Sequence, residues 1–226
     1  MTAAEGTAPA RTALVGNPSD GYGGAVLSVV LPQLVARARA TVGRNSTSHP
    51  PSLLVDAVVR RFTATYAAPR STVEWVTSVP EGVGLGGSSA IAIAVIRALC
   101  GLHRVELGPD QVAALALAVE REDLGIAGGR QDQVAEAYGG LTVTDFSAER
   151  VERLDPTLLP PLVVAWRDDC GEHSGIIHAD LRRRHHEGDP VILRGIAELT
   201  ALAFAARDAL RAGDFDGFAR CVDGTF

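Results

Sequence analysis

Pro80–Ala90 reads PEGVGLGGSSA. The preceding stretch, Thr72–Val79, alternates well enough for a strand, and the following one, Ser89–Leu102, has the composition of a buried helix. A strand, a glycine-rich loop and a helix in that order can make an anion cradle. Successive glycines let backbone N–H groups converge without Cβ interference, and the helix start adds free N–H groups and the positive end of its dipole. Ser88 and Ser89 can cap that helix, or turn a hydroxyl toward a phosphate or its Mg2+. A glycine turn with a serine cap explains the same residues without a ligand.

Composition narrows the choice of phosphate binder. All 21 cations of the 226-residue chain are arginines. A P-loop needs a lysine after its last glycine, so that option is excluded. Gly82, Gly84 and Gly87 do match the dinucleotide pattern G-x-G-x-x-G. That fold, however, needs an apolar strand ending in an acid some distance on. The region around Glu106, CGLHRVELGPD, is a poor strand, and the loop follows two earlier strands and a helix instead of opening the domain. The dinucleotide reading is disfavoured without being removed.

Bulk properties exclude other classes. A net charge of −6 and a pI near 5.5 argue against a nucleic-acid partner, which would meet a basic face. Cys100, Cys170 and Cys221 are odd in number and widely spaced, as expected of reduced thiols in a cytoplasmic protein. His173, His178, His185 and His186 form no zinc spacing with them. The N-terminal stretch MTAAEGTAPARTALVG has no long apolar core, and no run reaches the length of a membrane span. The expectation is a soluble protein with no membrane partner. The chain is 46% hydrophobic, enough for a substantial core.

Residues 1–10 read as a loose arm. Thr12–Gly16 and Ala25–Leu31 read as a hairpin around GNPSDGYGG, and Gly43–Ser52 as a loop. A helix is expected over Leu53–Tyr66, another from Gly108–Pro109–Asp110 to about Asp123, and a third from near Asp132 to Gly139–Gly140. Leu141–Phe146 and Leu162–Trp166 are strand candidates, and the chain beyond Ser174 reads as helical. Strands early and helices late give an α+β fold, with the proline-bearing stretch Asp155–Pro161 as the candidate boundary between two lobes, 1–158 and 159–226.

The loop resembles the ATP loop of the GHMP kinase family (galacto-, homoserine, mevalonate and phosphomevalonate kinases), of the form P-x-x-x-G-L-G-S-S-A. Here Pro80 is followed by Gly84, Leu85 and Gly86, one additional Gly87, then Ser88, Ser89 and Ala90. The resemblance implies a two-lobed fold with an N-terminal lobe like ribosomal protein S5 domain 2, a triphosphate held by residues 84–90, and Mg2+ bound with help from Ser89.

Two further segments carry the same resemblance. The sugar-kinase branch has R-x-x-L-x-G-E-H-x-D, and this chain has Arg11, Leu14, Gly16, Asn17, Ser19 and Asp20 at those spacings. The implied roles are phosphoryl-charge stabilisation for Arg11, sugar hydroxyl recognition for Asp20, and polar contacts for Asn17 and Ser19. A polar turn explains the same residues without a ligand. In EREDLGIAGGRQDQ, residues 120–133, the resemblance implies metal binding by Glu120 and acceptor activation by Asp132. Asp132 could also be only a helix cap.

GNPSD, GLGGSSAI and AGGRQDQVAEAYGGL are worded most like glucuronokinase-type members, which phosphorylate a uronic acid at the anomeric hydroxyl. Neutral Asn17, where sugar kinases carry Glu, would avoid repelling a substrate carboxylate, and Arg130 could pair with it. The later GEHSGIIHADLRRR carries the same likeness. Ser174 and Arg182 could reach substrate, although Arg182–Arg184 reads more simply as a solvated face.

The family also carries a late glycine-rich segment that has no counterpart after Ser174. The resemblance therefore implies an incomplete C-terminal lobe: either the chain is C-terminally truncated, with its activity in question, or self-association or a second chain completes it. A degenerate fold that binds a ligand or partner without catalysis stays open beside the kinase reading.

Overall fold

The structure, a computed structural model, describes residues 2–43, 47–126, 128–167 and 175–225. The side chains of residues 175–179 are outside the description, as are Cys170, His173 and Ser174. The architecture is α+β, and the chain divides into two compact units that interleave along the sequence.

The first unit comprises residues 1–11, 31–127 and 132–138. Its sheet is built from β1 (Ala3–Val15), the second half of β2 (Ala25–Val42), β3 (Thr47–His49) and β4 (Ser71–Thr77). β2 pairs antiparallel with β4, Ala38 opposite Trp75, and β4 pairs parallel with β3. One sheet face is small and apolar, with Ala36, Ala38 and Ala40 buried on β2 while Arg37 and Arg39 between them face out.

Helix α2 (Gly87–His103) lies at the centre of this unit. Ala90, Ala92, Ile93, Val95, Ile96, Ala98 and Leu99 are all buried, so its surroundings are apolar on nearly every side. Helix α1 (Leu53–Tyr66) packs against it through Val55, Val58, Val59 and Phe62. Its start is capped by Ser52 Oγ, which accepts from Val55 N at 3.3 Å. Helix α3 (Pro109–Ala118) continues into a π-helical turn over Val119–Asp123, and α4 (Gln131–Tyr138) follows.

Where an arm was expected, the chain forms a strand from Ala3 on. Ala4, Gly6, Ala8 and Ala10 alternate inward, while Glu5 and Thr7 face out. The inward residues are small because β1 presses on α2: a Cβ at Gly6 would lie 2.2 Å from the Ala94 carbonyl oxygen. Alanine and glycine have weak strand propensity, so contact with α2 sets this conformation.

The second unit holds residues 12–30, 128–131 and 139–226. The first half of β2 pairs with β5 (Leu141–Asp145), and β5 with β6 (Arg150–Leu154), both antiparallel. Helices α5 (Gly175–His186), α6 (Pro190–Ala212) and α7 (Phe215–Asp223) follow. Val15, Ala25, Leu27, Leu141, Val143, Ala203, Ala206, Leu210 and Phe218 form one buried cluster. Asp189 caps α6, accepting from Val191 N at 2.9 Å, and Gly213 ends it at φ +69°.

The strand candidate Leu162–Trp166 has no regular structure; Val163 is 94% exposed. Pro160 and Pro161 withhold two N–H donors at its start, and no strand among the described residues pairs with it. Residues 150–154 form β6 although three of the five residues of RVERL are charged. Asp145 explains the tight turn into it, accepting from Ser147 N, Ser147 Oγ and Ala148 N.

Candidate functional site

The glycine-rich loop leaves β4 and enters α2 in the first unit. Gly82, Gly84 and Gly86 take φ values of +74°, +78° and +75°. Glycine adopts that left-handed geometry without strain, and Gly86 serves as the N-cap residue of α2. The loop borders a cavity of about 470 Å³ lined also by Leu54, Trp75, Val79, Ile91 and Asp132. Trp75 is fixed by its indole N–H, which donates to the Pro50 carbonyl at 2.8 Å.

The two serines diverge because successive helical residues point about 100° apart. Ser89 is fully buried, and its Oγ donates to the Gly86 carbonyl at 2.9 Å. Ser88 is exposed, and its Oγ donates to Glu120 Oε1 at 3.0 Å. The serine that meets Glu120 is therefore Ser88. Sequence alone could not choose between neighbours; only the phase of α2 does.

Glu120 sits in the π-helical turn and is 6% exposed. Its second oxygen accepts from Gln133 Nε2. Burial raises its pKa, opposed mainly by the Ser88 hydrogen bond. At the end of this turn, Arg61 on α1 grips Asp123 through Nε at 2.6 Å and Nη2 at 2.8 Å. That pair holds the irregular turn against α1.

Arg11 joins the loop to α4. Its Nη1 donates to the Gly84 carbonyl at 3.1 Å, and its backbone N to the Leu85 carbonyl at 3.1 Å. Its Nε donates to Asp132 Oδ1 at 2.9 Å, and Nη2 reaches the same oxygen. The Asp132 side chain keeps 32% exposure while Arg11 keeps 10%. A partly open carboxylate beside a buried guanidinium can accept a proton from a bound hydroxyl while the arginine offsets nearby negative charge. One turn further along α4, Glu136 is fully buried, with no hydrogen-bond partner for either oxygen among the described residues.

In the second unit, Asp20 is 5% exposed and its Oδ2 accepts from the backbone N of Arg130 at 2.7 Å and of Gln131 at 3.1 Å. Gly129 must be glycine here, since a Cβ would lie 1.8 Å from that oxygen. Asp20 thus shapes the turn 128–131 that leads into α4. Ser19 is fully buried and donates to the Ala25 carbonyl at 3.0 Å. Asn17 is exposed, and its Oδ1 accepts from Gln131 Nε2. Arg130 lies over the Phe146 ring at 5.3 Å, with Glu149 Oε1 3.8 Å from its Nη1. Asn17 is thus exposed and Arg130 half-buried, whereas Ser19 and Asp20 are buried.

Sequence reading missed Gln133, Glu136 and Trp75. Gln133 and Glu136 are both buried on α4, and two long polar side chains one helical turn apart were the available signal.

Comparison with known proteins follows the same lines. Residues 53–140 match the GHMP kinases N terminal domain. The chain is 35% identical over 170 residues to the probable glucuronokinase 2 of Arabidopsis thaliana, a match covering 69% of this chain and 45% of that protein. It is 47% identical over 70 residues to the D-glycero-alpha-D-manno-heptose 7-phosphate kinase of Campylobacter jejuni, covering 31% of this chain and 21% of that one. The matched stretches thus span less than half of these curated relatives. Among solved structures, a D-glycero-D-manno-heptose 1-phosphate kinase from Bacteriodes thetaiotaomicron superposes with a TM-score of 0.71 at 22% identity, over 96% of this chain and 76% of that one. At that identity the likeness establishes the fold. No helix among the described residues is long and apolar enough to cross a membrane.

Proposed function

We propose, from the premise that residues 53–140 are a GHMP kinase N-terminal domain, that this protein is an ATP-dependent sugar kinase acting on a uronic acid at its anomeric hydroxyl. The observation that carries the reading is the Arg11 bridge, which ties the Asp132 carboxylate to the carbonyl of Gly84 in the glycine-rich loop. A phosphate cradle needs no carboxylate held beside it. A kinase does.

In this reading the loop N–H groups of residues 84–89 take the triphosphate, and the apolar wall of Leu54, Trp75, Val79 and Ile91 takes the adenine ring. Ser88 and Glu120 would hold Mg2+. Among the described residues no group of three acidic, His or Cys side chains could hold a metal alone. Mg2+ would draw its other ligands from phosphate and water. When bound, Mg2+ neutralises charge on the phosphate oxygens. Asp132 orients the acceptor hydroxyl and takes its proton. The acceptor oxygen then bonds to the γ-phosphorus as the bond to the β–γ bridging oxygen breaks and ADP leaves. Arg11 offsets the charge in transit.

The acceptor side rests on Asn17 and Arg130. Arg130 has a distant carboxylate partner in Glu149, at 3.8 Å, which a substrate carboxylate can displace. The likeness to the Arabidopsis protein supports the same substrate class. Asp20 serves by shaping the Arg130 turn, since two backbone N–H groups already occupy its Oδ2. Titration calorimetry with MgATP, followed by ADP-release assays on glucuronate, galacturonate, galactose, arabinose and mevalonate, tests the proposal. Turnover on a uronic acid supports it. ATP binding without turnover on any acceptor favours a non-catalytic binding protein, and no ATP binding defeats both.

A further inference from the structure

Glu136 is a costly residue for its position. It is fully buried on α4, one turn beyond Asp132, and both carboxyl oxygens lack a hydrogen-bond partner among the described residues. Ser89 Oγ donates to the Gly86 carbonyl at 2.9 Å; it also lies against the Glu136 carboxyl, where it favours the ionised form without overcoming burial. A buried unpartnered polar group destabilises a fold, and Met or Leu would fill similar space without that cost. The loop explains the position. A Cβ on Gly86 would stand 2.1 Å from Glu136 Oε1 and 3.3 Å from its Cδ, so the left-handed Gly86 turn rests directly on the carboxyl group.

We infer that Glu136 is a positioning residue for the glycine-rich loop, its carboxyl forming the polar floor that holds Gly86 and aims the N–H groups of Gly87, Ser88 and Ser89 at an incoming anion. The inference rests on the reading of this loop as a nucleotide site. Burial, followed by the nearby Asp132 carboxylate, pushes the Glu136 pKa well above the usual carboxylate range. A neutral carboxylic acid has an O–H to donate and adds no negative charge beneath the phosphates.

The test compares Glu136→Gln, which keeps shape and hydrogen-bonding atoms, with Glu136→Met, which keeps volume alone. MgADP affinity, steady-state constants, thermal stability and hydrogen exchange of the loop amides are measured on the full chain. Glu136→Gln is expected to bind MgADP within about threefold of wild type. Glu136→Met is expected to melt at the wild-type temperature or above it, yet bind MgADP about tenfold more weakly. Its KM for ATP should rise with the acceptor KM unchanged, and amides 84–89 should exchange faster without ligand. Wild-type exchange and affinity in Glu136→Met would overturn the inference, because filling space would then be enough. Equal losses in Gln and Met would overturn it too. If wild type binds no MgADP, the nucleotide reading fails, while loop exchange in the two variants still decides the role of Glu136.

Discussion

Asp20 and Asp132 are both acidic residues of sequence segments that resemble kinase motifs, yet their surroundings differ in kind. Asp20, in the second unit, is buried and its Oδ2 takes two backbone N–H groups of a tight turn. Asp132, in the first unit, is held by the Arg11 side chain through Oδ1 and is one-third exposed. A carboxylate with one oxygen held by two backbone donors supports the turn it caps, and moving it unmakes that turn. A carboxylate held by one arginine side chain, and still one-third exposed, can meet a substrate. What an aspartate is bonded to separates structure from chemistry better than the motif that contains it.

Substitutions can break that contrast. Asp132→Asn should cost on the order of 10²–10⁴ in turnover, the usual range for a general base, with the melting temperature and MgADP affinity close to wild type. Comparable turnover losses in Asp20→Asn without loss of stability would erase the distinction. Arg130→Ala should raise KM for a uronic acid by roughly 10–100-fold, the worth of one charge-assisted hydrogen bond, and leave that for a neutral sugar unchanged. Asp20→Ala should act mainly on stability, at about 1–3 kcal/mol, since the N–H groups of Arg130 and Gln131 lose their acceptor. Denaturant titration reads that loss.

The smallest effect concerns pH. Glu136 binds its proton more tightly folded than unfolded, because burial and the Asp132 carboxylate oppose ionisation. Its contribution to stability is therefore complete below the ordinary glutamate pKa. It declines as pH rises from there toward the elevated folded value. Glu136→Gln removes the titration, so the stability of the variant relative to wild type should grow with pH across that window. Parallel stability curves for the two proteins would contradict the assignment.

The sequence showed the loop, α1, the helix-rich C-terminal region and the candidates Arg11, Glu120 and Asp132, since glycine spacing, capping residues and apolar periodicity are local signals. Other features depended on tertiary contact. Residues 3–15 form a strand because Ala4, Gly6 and Ala8 fit against α2, and nothing in their own propensity says so. Ser88 rather than Ser89 faces Glu120 through the phase of one helix. Asp20 and Ser19 sit in a segment read as substrate-facing, yet both are buried, because their polar atoms bond to backbone far away in sequence or across a short loop. A polar side chain announces that it needs a partner. It does not announce which one.

The loop, Arg11 and Asp132 are proposed to transfer a phosphoryl group to a sugar acid. Phosphorus NMR of the wild-type protein with MgATP and glucuronate tests it most directly. ADP and a new sugar 1-phosphate resonance should grow together, with both slowed in Asp132→Asn. Bound MgATP that stays intact with every uronic acid tried, or transfer undiminished in Asp132→Asn, would contradict it.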